Sequence, residues 1–103
     1  MNQELIKMEK GSCLCTFYNN GKANVMIIDS VEVDKTHRRR GIGTQIIEAA
    51  LKLARKRGVD SIELNVNKDN IPAKALYKKM GFEKTNKDYY RLILQSKKKI
   101  PHA

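Results

Sequence analysis

Apolar and polar positions alternate in the first third of the chain, which is the pattern of β-strands. Residues 12 to 18 and 23 to 33 are rich in Val, Ile, Cys, Phe and Tyr, and both segments are predicted to be strands. The turn residues Asn19-Asn20-Gly21-Lys22 between them predict a hairpin connection. Alternation along the second strand places four apolar side chains on one face, namely Val25, Ile27, Val31 and Val33.

Helical spacing replaces this alternation at Gly41. Apolar residues then recur every three or four positions, and Gly58 predicts the C-terminal end of this helix. A second helix is predicted from residue 71 or 72 to residue 80. Pro72 suits its first turn, where the missing N–H is no loss, and Gly81 ends it.

Short apolar segments after each helix complete the predicted sheet. Strands are expected at residues 61 to 66, 82 to 85 and 89 to 95, and a further strand at residues 5 to 8 is left open. The order is therefore β-β-α-β-α-β-β. A strand-helix-strand crossover of this length requires a parallel pair, so an α/β fold with a mixed sheet is expected.

Length and composition indicate a single domain spanning residues 1 to 103, with a basic C-terminal tail from about residue 96. The chain is 41% hydrophobic and 31% charged, as soluble globular proteins are. No apolar run is long enough for a membrane span, and the N-terminus has no apolar signal segment. We therefore expect a cytoplasmic protein without a membrane partner.

The two cysteines, Cys13 and Cys15, alternate along the first predicted strand, so both side chains point to one face. They are expected to be core residues. A zinc site needs further ligands at recognisable spacing, and the two histidines, His37 and His102, are distant from the cysteines in sequence. No metal site is predicted.

Basic residues outnumber acidic ones by 21 to 11, and the net charge of +10 favours an anionic partner. Arg38, Arg39 and Arg40 precede Gly41 and Gly43 at the predicted helix start. The arginines admit three interpretations: a nucleic-acid or localisation patch, a solvated charge run, or part of a phosphate cradle completed by the glycines and the helix N-terminus. No aromatic residue interleaves with the cluster to stack bases, which disfavours nucleic acid.

Two segments in the right order resemble signatures of the GNAT superfamily of N-acetyltransferases. The first is VEVDKTHRRRGIGT, which ends in a helix start, and the second is NIPAKALYKKMGF. Members of this superfamily transfer acetyl groups from acetyl-CoA to amines. The resemblance covers roughly residues 23 to 95 and implies a mixed, mostly antiparallel central sheet with two helices packed on it.

The resemblance implies roles for individual residues. Backbone groups near Val31 and Val33 would pair with the pantetheine arm, the loop from Arg38 to Thr44 would hold the pyrophosphate, and Tyr77 would give a proton to the departing CoA thiolate. The implied acetyl-CoA contacts are Val31, Val33, Arg38, Arg39, Arg40, Gly41, Ile42, Gly43, Thr44, Asn70, Ala73 and Tyr77. Asn70 also suits a helix N-cap, and the Tyr77 ring suits simple packing.

The general base is not assigned by the sequence. Some family members have a glutamate where this chain has Asn65, and an amide cannot accept the proton. The remaining carboxylates near the site in sequence are Glu32, Asp29 and Glu63, and a water molecule is the fourth alternative. Glu32 lies on the strand face opposite Val31 and is expected to be an exposed strand residue.

The acceptor side also departs from the family pattern. Family members usually carry a strand and two helices before the central hairpin, and this chain has only about 11 residues there. Either the acceptor site is open and minimal, or another chain, for example a second copy in a homodimer, completes it. The sequence therefore leaves the acceptor as an unidentified small-molecule or protein amine. The alternative function is a module that binds acetyl-CoA or CoA and catalyses little.

Overall fold

The apolar segments form strands and helices in a computed structural model, which describes residues 2–34, 41–86 and 89–94. The elements in chain order are β1 (Asn2–Met8), β2 (Gly11–Asn19), β3 (Asn24–Val33), α1 (Ile42–Arg57), β4 (Ser61–Asn65), α2 (Ile71–Lys79), β5 (Glu83–Asn86) and β6 (Tyr89–Ile93). The predicted order is confirmed, and the strand that the sequence left open at residues 5 to 8 is present and longer. Gly58 forms the C-cap of α1 as predicted.

The described strands form one six-stranded sheet in the order β1-β2-β3-β4-β6-β5. β3 and β4 pair in parallel, because α1 carries the chain back between them. The other neighbouring pairs are antiparallel. The mixed, mostly antiparallel sheet expected from the sequence is confirmed.

One face of the sheet, here called the helix face, carries the main core. Cys13 and Cys15 of β2 and Met26 and Ile28 of β3 are on this face, with at most 2% of their surface exposed. The buried residues of α1 that pack here are Ile46, Ile47, Ala50, Leu51 and Ala54. Both cysteines are core residues, as predicted, and both are free thiols.

The opposite surface of the sheet, here called the open face, has no described helix packed on it. Strand alternation places Leu5 and Ile93 there, and these side chains are 59% and 56% exposed. β1 leads into β2 through a turn at Glu9 and Lys10, so no helix lies between these strands. None of the helices in the described ranges is long and apolar enough to span a membrane.

A β-bulge interrupts β3. Between the pairs Ser12↔Glu32 and Leu14↔Asp29, β2 contributes one residue and β3 contributes two. Ser30 lies within this bulge with a φ of 52°, which is an unfavourable angle for a residue other than glycine. The bulge therefore shifts the alternation of all later residues of β3 by one position.

This shift corrects one expectation from the sequence. Val31 and Val33 pack against the main core together with Met26 and Ile28, on the helix face. Simple alternation places Val31 and Val33 on the face of Val25, and that prediction is wrong beyond Ile28. An extra residue in a strand moves every following side chain to the other face.

Candidate functional site

The site begins where β3 and β4 separate. Val25–Ile28 pair with Ser61–Leu64, and the ladder between these two strands stops there. β3 continues to Val33, whereas β4 ends at Asn65. The two strands therefore diverge from the Ile28 level onward and leave a wedge-shaped opening in the sheet.

A cavity of about 850 Å³ lies beside this wedge, between the end of β3 and the N-terminal parts of the two helices. Its size is in the range of pockets that hold organic ligands. Its lining includes the predicted acetyl-CoA contacts that the structure describes, namely Val31, Val33, Gly41, Ile42, Gly43, Thr44, Asn70, Ala73 and Tyr77. Arg38, Arg39 and Arg40 lie outside the described residues. The sequence did not single out Asn67 and Asp69, which also line the cavity.

The N-terminus of α1 forms one end of this cavity. Gly41 is its N-cap with a left-handed φ of 79°, and no side chain within the described ranges caps the helix there. The first N–H groups of a helix lack intrahelical partners and carry the positive end of the helix dipole. Phosphate oxygens are suitable ligands for such groups, so this end of the cavity fits a pyrophosphate.

The N-terminus of α2 forms the opposite wall. The Asn70 side chain accepts a hydrogen bond from the Ala73 N–H at 3.2 Å, which makes Asn70 the N-cap of the helix. The structural role that the sequence allowed for Asn70 is therefore present. Asn70 also lines the cavity, and its amide N–H₂ group is a donor that the cap does not use.

Tyr77 lies deeper, between the main cavity and a smaller one of about 130 Å³. Its side chain is 5% exposed, and its ring packs on Phe82 with a centroid distance of 5.9 Å. Burial raises the pKa of Tyr77. The hydroxyl is therefore protonated at neutral pH and can act as a hydrogen-bond donor.

The smaller cavity is at the point where β3 and β4 separate. Asp29 and Ser30 of the bulge and Asn65 at the end of β4 line it together with Tyr77. Asp29 and Asn65 are also exposed. This cavity therefore lies between the buried Tyr77 on the helix face and two exposed residues, Asp29 and Asn65.

The candidate bases differ in their surroundings. Asp29 and Glu32 are exposed, as expected for Glu32. Glu63 is only 5% exposed and accepts hydrogen bonds from the Tyr89 hydroxyl and from Arg91 Nε, the latter at 3.2 Å. The contact of Glu63 with Tyr89 and Arg91 had one signal in the sequence, a glutamate within the short apolar strand of residues 61 to 66. Across the described ranges, no group of three or more His, Cys, Asp or Glu side chains is placed to hold a metal ion.

A cleft beside diverging parallel strands, with a glycine-led helix at one end and a buried tyrosine at the other, fits an elongated organic ligand that carries phosphate groups. The chain matches the sequence profile of the Acetyltransferase (GNAT) family over residues 10–82, which is most of its length. The chain belongs to this family.

Relatives and solved structures agree with this assignment. An uncharacterized N-acetyltransferase, MJ1207 of Methanocaldococcus jannaschii, is 38% identical over 85 residues, which are 80% of this chain and 38% of the relative. Human N-acetyltransferase 8 is 36% identical over 56% of this chain and 26% of its own length. The chain thus spans well under half the length of these relatives.

Among solved structures, a subunit of the NatC complex bound to Gag peptide and CoA has a TM-score of 0.77 at 23% identity, covering 82% of this chain and 61% of that one. Ard1 from Thermoplasma volcanium has a TM-score of 0.72 at 28% identity, covering 84% of this chain and 64% of that one. The fold of the described residues is therefore that of GNAT proteins.

Proposed function

We propose that this protein transfers the acetyl group of acetyl-CoA directly to a primary amine. The observation that carries the proposal is the wedge between β3 and β4. It brings Val31 and Val33, Gly41 and Tyr77 to one cavity, although they come from three separate segments of the chain.

The donor is held along the length of this cavity. The first N–H groups of α1, with the guanidinium groups of Arg38, Arg39 and Arg40, bind the pyrophosphate. Backbone groups of β3 at Val31 and Val33 pair with the amides of the pantetheine arm, because β4 no longer occupies that side of the strand. Acetyl-CoA supplies an activated acyl group as its thioester.

Tyr77 assists the departure of the thiolate. The amine nitrogen forms a bond to the carbonyl carbon, the carbon–sulfur bond breaks, and the Tyr77 hydroxyl gives a proton or a hydrogen bond to the sulfur. The raised pKa of Tyr77 suits this role, since the hydroxyl keeps its proton at neutral pH. The position of Tyr77 between the two cavities matches a reaction at their junction.

The acceptor amine arrives from the open face. α1 and α2 cover the helix face, whereas Asp29 and Asn65, which line the smaller cavity, are exposed. Donor and acceptor thus meet from opposite sides of the sheet. Exposed carboxylates at Asp29 and Glu32 favour an amine that arrives as an ammonium ion.

A panel of amines tests this function. Spermidine, kanamycin, glycine and a short peptide with a free α-amino group are each incubated with acetyl-CoA, and CoA release is measured. We expect turnover with at least one of them, and acetyl-CoA alone should raise the melting temperature by mass action. Binding of acetyl-CoA without turnover of any amine would make the protein a CoA-binding module.

A paired substitution tests the arginines. Arg38→Ala combined with Arg40→Ala should weaken acetyl-CoA binding in calorimetry, because it removes two phosphate ligands. The matched control is Lys52→Ala combined with Lys56→Ala, which removes the same charge from exposed positions of α1 outside the cavity. Equal effects of the two pairs would mean that the arginines act only through net charge.

A further inference from the structure

Glu63 is a buried carboxylate that the donor side of the reaction does not use. It lies on β4 with Ile27 of β3 on one side and Arg91 of β6 on the other. Alternation places it on the open face together with Asn65, two residues further along β4. A carboxylate that is 5% exposed needs partners, and three neighbouring side chains supply them.

These partners reach Glu63 from different directions. Tyr89 donates its hydroxyl to Oε1, and Arg91 Nε donates to Oε2. The Tyr18 hydroxyl of β2 also faces the carboxylate. The titratable and charged groups facing Glu63 are thus Tyr18 from β2 and Tyr89 and Arg91 from β6, while β3 contributes the apolar Ile27.

Tyr89 is the partner on the side of the smaller cavity. It is the cross-strand neighbour of Asn65, which lines that cavity. Two strand residues span about 7 Å, so Glu63 is roughly that distance back from Asn65 along β4. Tyr18 approaches Glu63 from the side away from the smaller cavity. It pairs with Val25 of β3, and Val25 in turn pairs with Ser61 at the start of β4. Of the three described partners of Glu63, Tyr89 is therefore the one whose strand position is nearest the smaller cavity.

We propose that Glu63 takes up the proton of the acceptor amine through the hydroxyl of Tyr89. This proton path is called the Glu63 relay below. The inference rests on the proposed acetyl transfer and supplies the base that Asn65 cannot provide. The ammonium N–H bond breaks as its proton joins the Tyr89 oxygen, and the original hydroxyl proton of Tyr89 passes to Glu63 Oε1. The products are a neutral amine, a neutral tyrosine and a protonated Glu63, which returns its proton to water before the next turnover.

Arg91 orients this pair. Arg91 Nε donates a hydrogen bond to Glu63 Oε2, and Oε1 accepts the hydrogen bond from the Tyr89 hydroxyl. Burial and the hydrogen bond to Glu63 raise the pKa of Tyr89. The tyrosine therefore keeps its own proton over the pH range in which amines lose theirs, and it passes protons without becoming a lasting phenolate.

The test compares two tyrosine-to-phenylalanine substitutions that each remove one hydroxyl facing the same carboxylate. kcat is measured against pH, from well below to above the pKa of the amine, with the panel amine of highest turnover. Tyr89→Phe should lower kcat about 100-fold at low pH, as expected for loss of general-base assistance, and leave the KM for acetyl-CoA unchanged. The loss should shrink as pH rises, because the amine then deprotonates without help.

Tyr18→Phe is the matched control: it removes a hydroxyl that faces Glu63 from the side away from the smaller cavity, so its loss of kcat should be much smaller than that of Tyr89→Phe. Glu63→Gln should show the same pH-dependent loss as Tyr89→Phe, and Tyr89→Phe carries the test if Glu63→Gln does not fold. A loss in Tyr89→Phe that is the same at all pH values, or an equal loss in Tyr18→Phe, would show a structural role and reject the relay alone. A wild type that binds acetyl-CoA but acetylates no amine would reject acetyl transfer and the relay together.

Discussion

Replacing Tyr77 with phenylalanine removes the proposed thiolate donor and little else. The ring is 5% exposed and packs on Phe82 at 5.9 Å, and phenylalanine keeps that packing. If the hydroxyl stabilises the departing sulfur, kcat should fall about 10- to 100-fold, which corresponds to about 1.4 to 2.7 kcal/mol of transition-state stabilisation. The assay is CoA release at saturating amine, with the KM for acetyl-CoA expected to stay within about twofold of wild type.

The pH dependence of this loss separates Tyr77 from the Glu63 relay. Burial raises the pKa of Tyr77 above the ordinary value of a tyrosine, so the hydroxyl stays protonated throughout an assay between pH ~7 and ~9. The ratio of wild-type to Tyr77→Phe turnover should therefore be constant over this range. Wild-type turnover in Tyr77→Phe would refute the donor role, and a loss confined to the KM for acetyl-CoA would show that the hydroxyl only contributes to binding.

Three further substitutions test the fold and the donor cleft. Gly11→Ala should lower the free energy of unfolding by about 1 to 3 kcal/mol in denaturant titrations, because its Cβ would lie 2.6 Å from Ile46 Cδ1 and 2.7 Å from the Glu32 carbonyl oxygen; unchanged stability would mean that the backbone relaxes. Asn70→Asp keeps a capping acceptor but loses the amide donor, so calorimetry should show weaker acetyl-CoA binding at unchanged stability, and unchanged affinity would restrict Asn70 to capping. Gly41→Ala should lower the free energy of unfolding by about 1 to 2 kcal/mol, because Gly41 has a φ of 79° that is unfavourable for alanine. A melting temperature equal to that of the wild type would contradict this.

Much of the fold follows from periodicity and from glycine and proline positions. Helix α1 is predictable because its apolar residues recur at helical spacing and Gly58 follows its last turn. Helix α2 begins at Ile71 with Pro72 next, where the missing N–H of proline costs nothing. The parallel pairing of β3 with β4 follows from the crossover through α1. These features depend on local sequence and on simple chain geometry.

Features that depend on register are not visible in the sequence. The extra residue around Ser30 changes the face of Val31 and Val33, and no glycine marks the bulge. The contact between Glu63 and Tyr89 requires the antiparallel pairing of β4 with β6, which places Arg91 opposite Glu63 and Tyr89 opposite Asn65. Alternation alone does not fix which residues of two distant strands become partners.

The wedge also divides the sheet into two mechanical units. Strands β1, β2 and β3 form one unit and β4, β6 and β5 the other, and the ladder joining them is four residue pairs long, from Val25 with Ser61 to Ile28 with Leu64. α1 packs on strands of the first unit and α2 on β5 of the second. Because this seam is short, we expect a molecule seated in the cleft to bridge the parts of the two units that the seam does not join. Deuterium uptake by amides from Asp29 to Val33 should fall when acetyl-CoA binds, while uptake at the seam should change little.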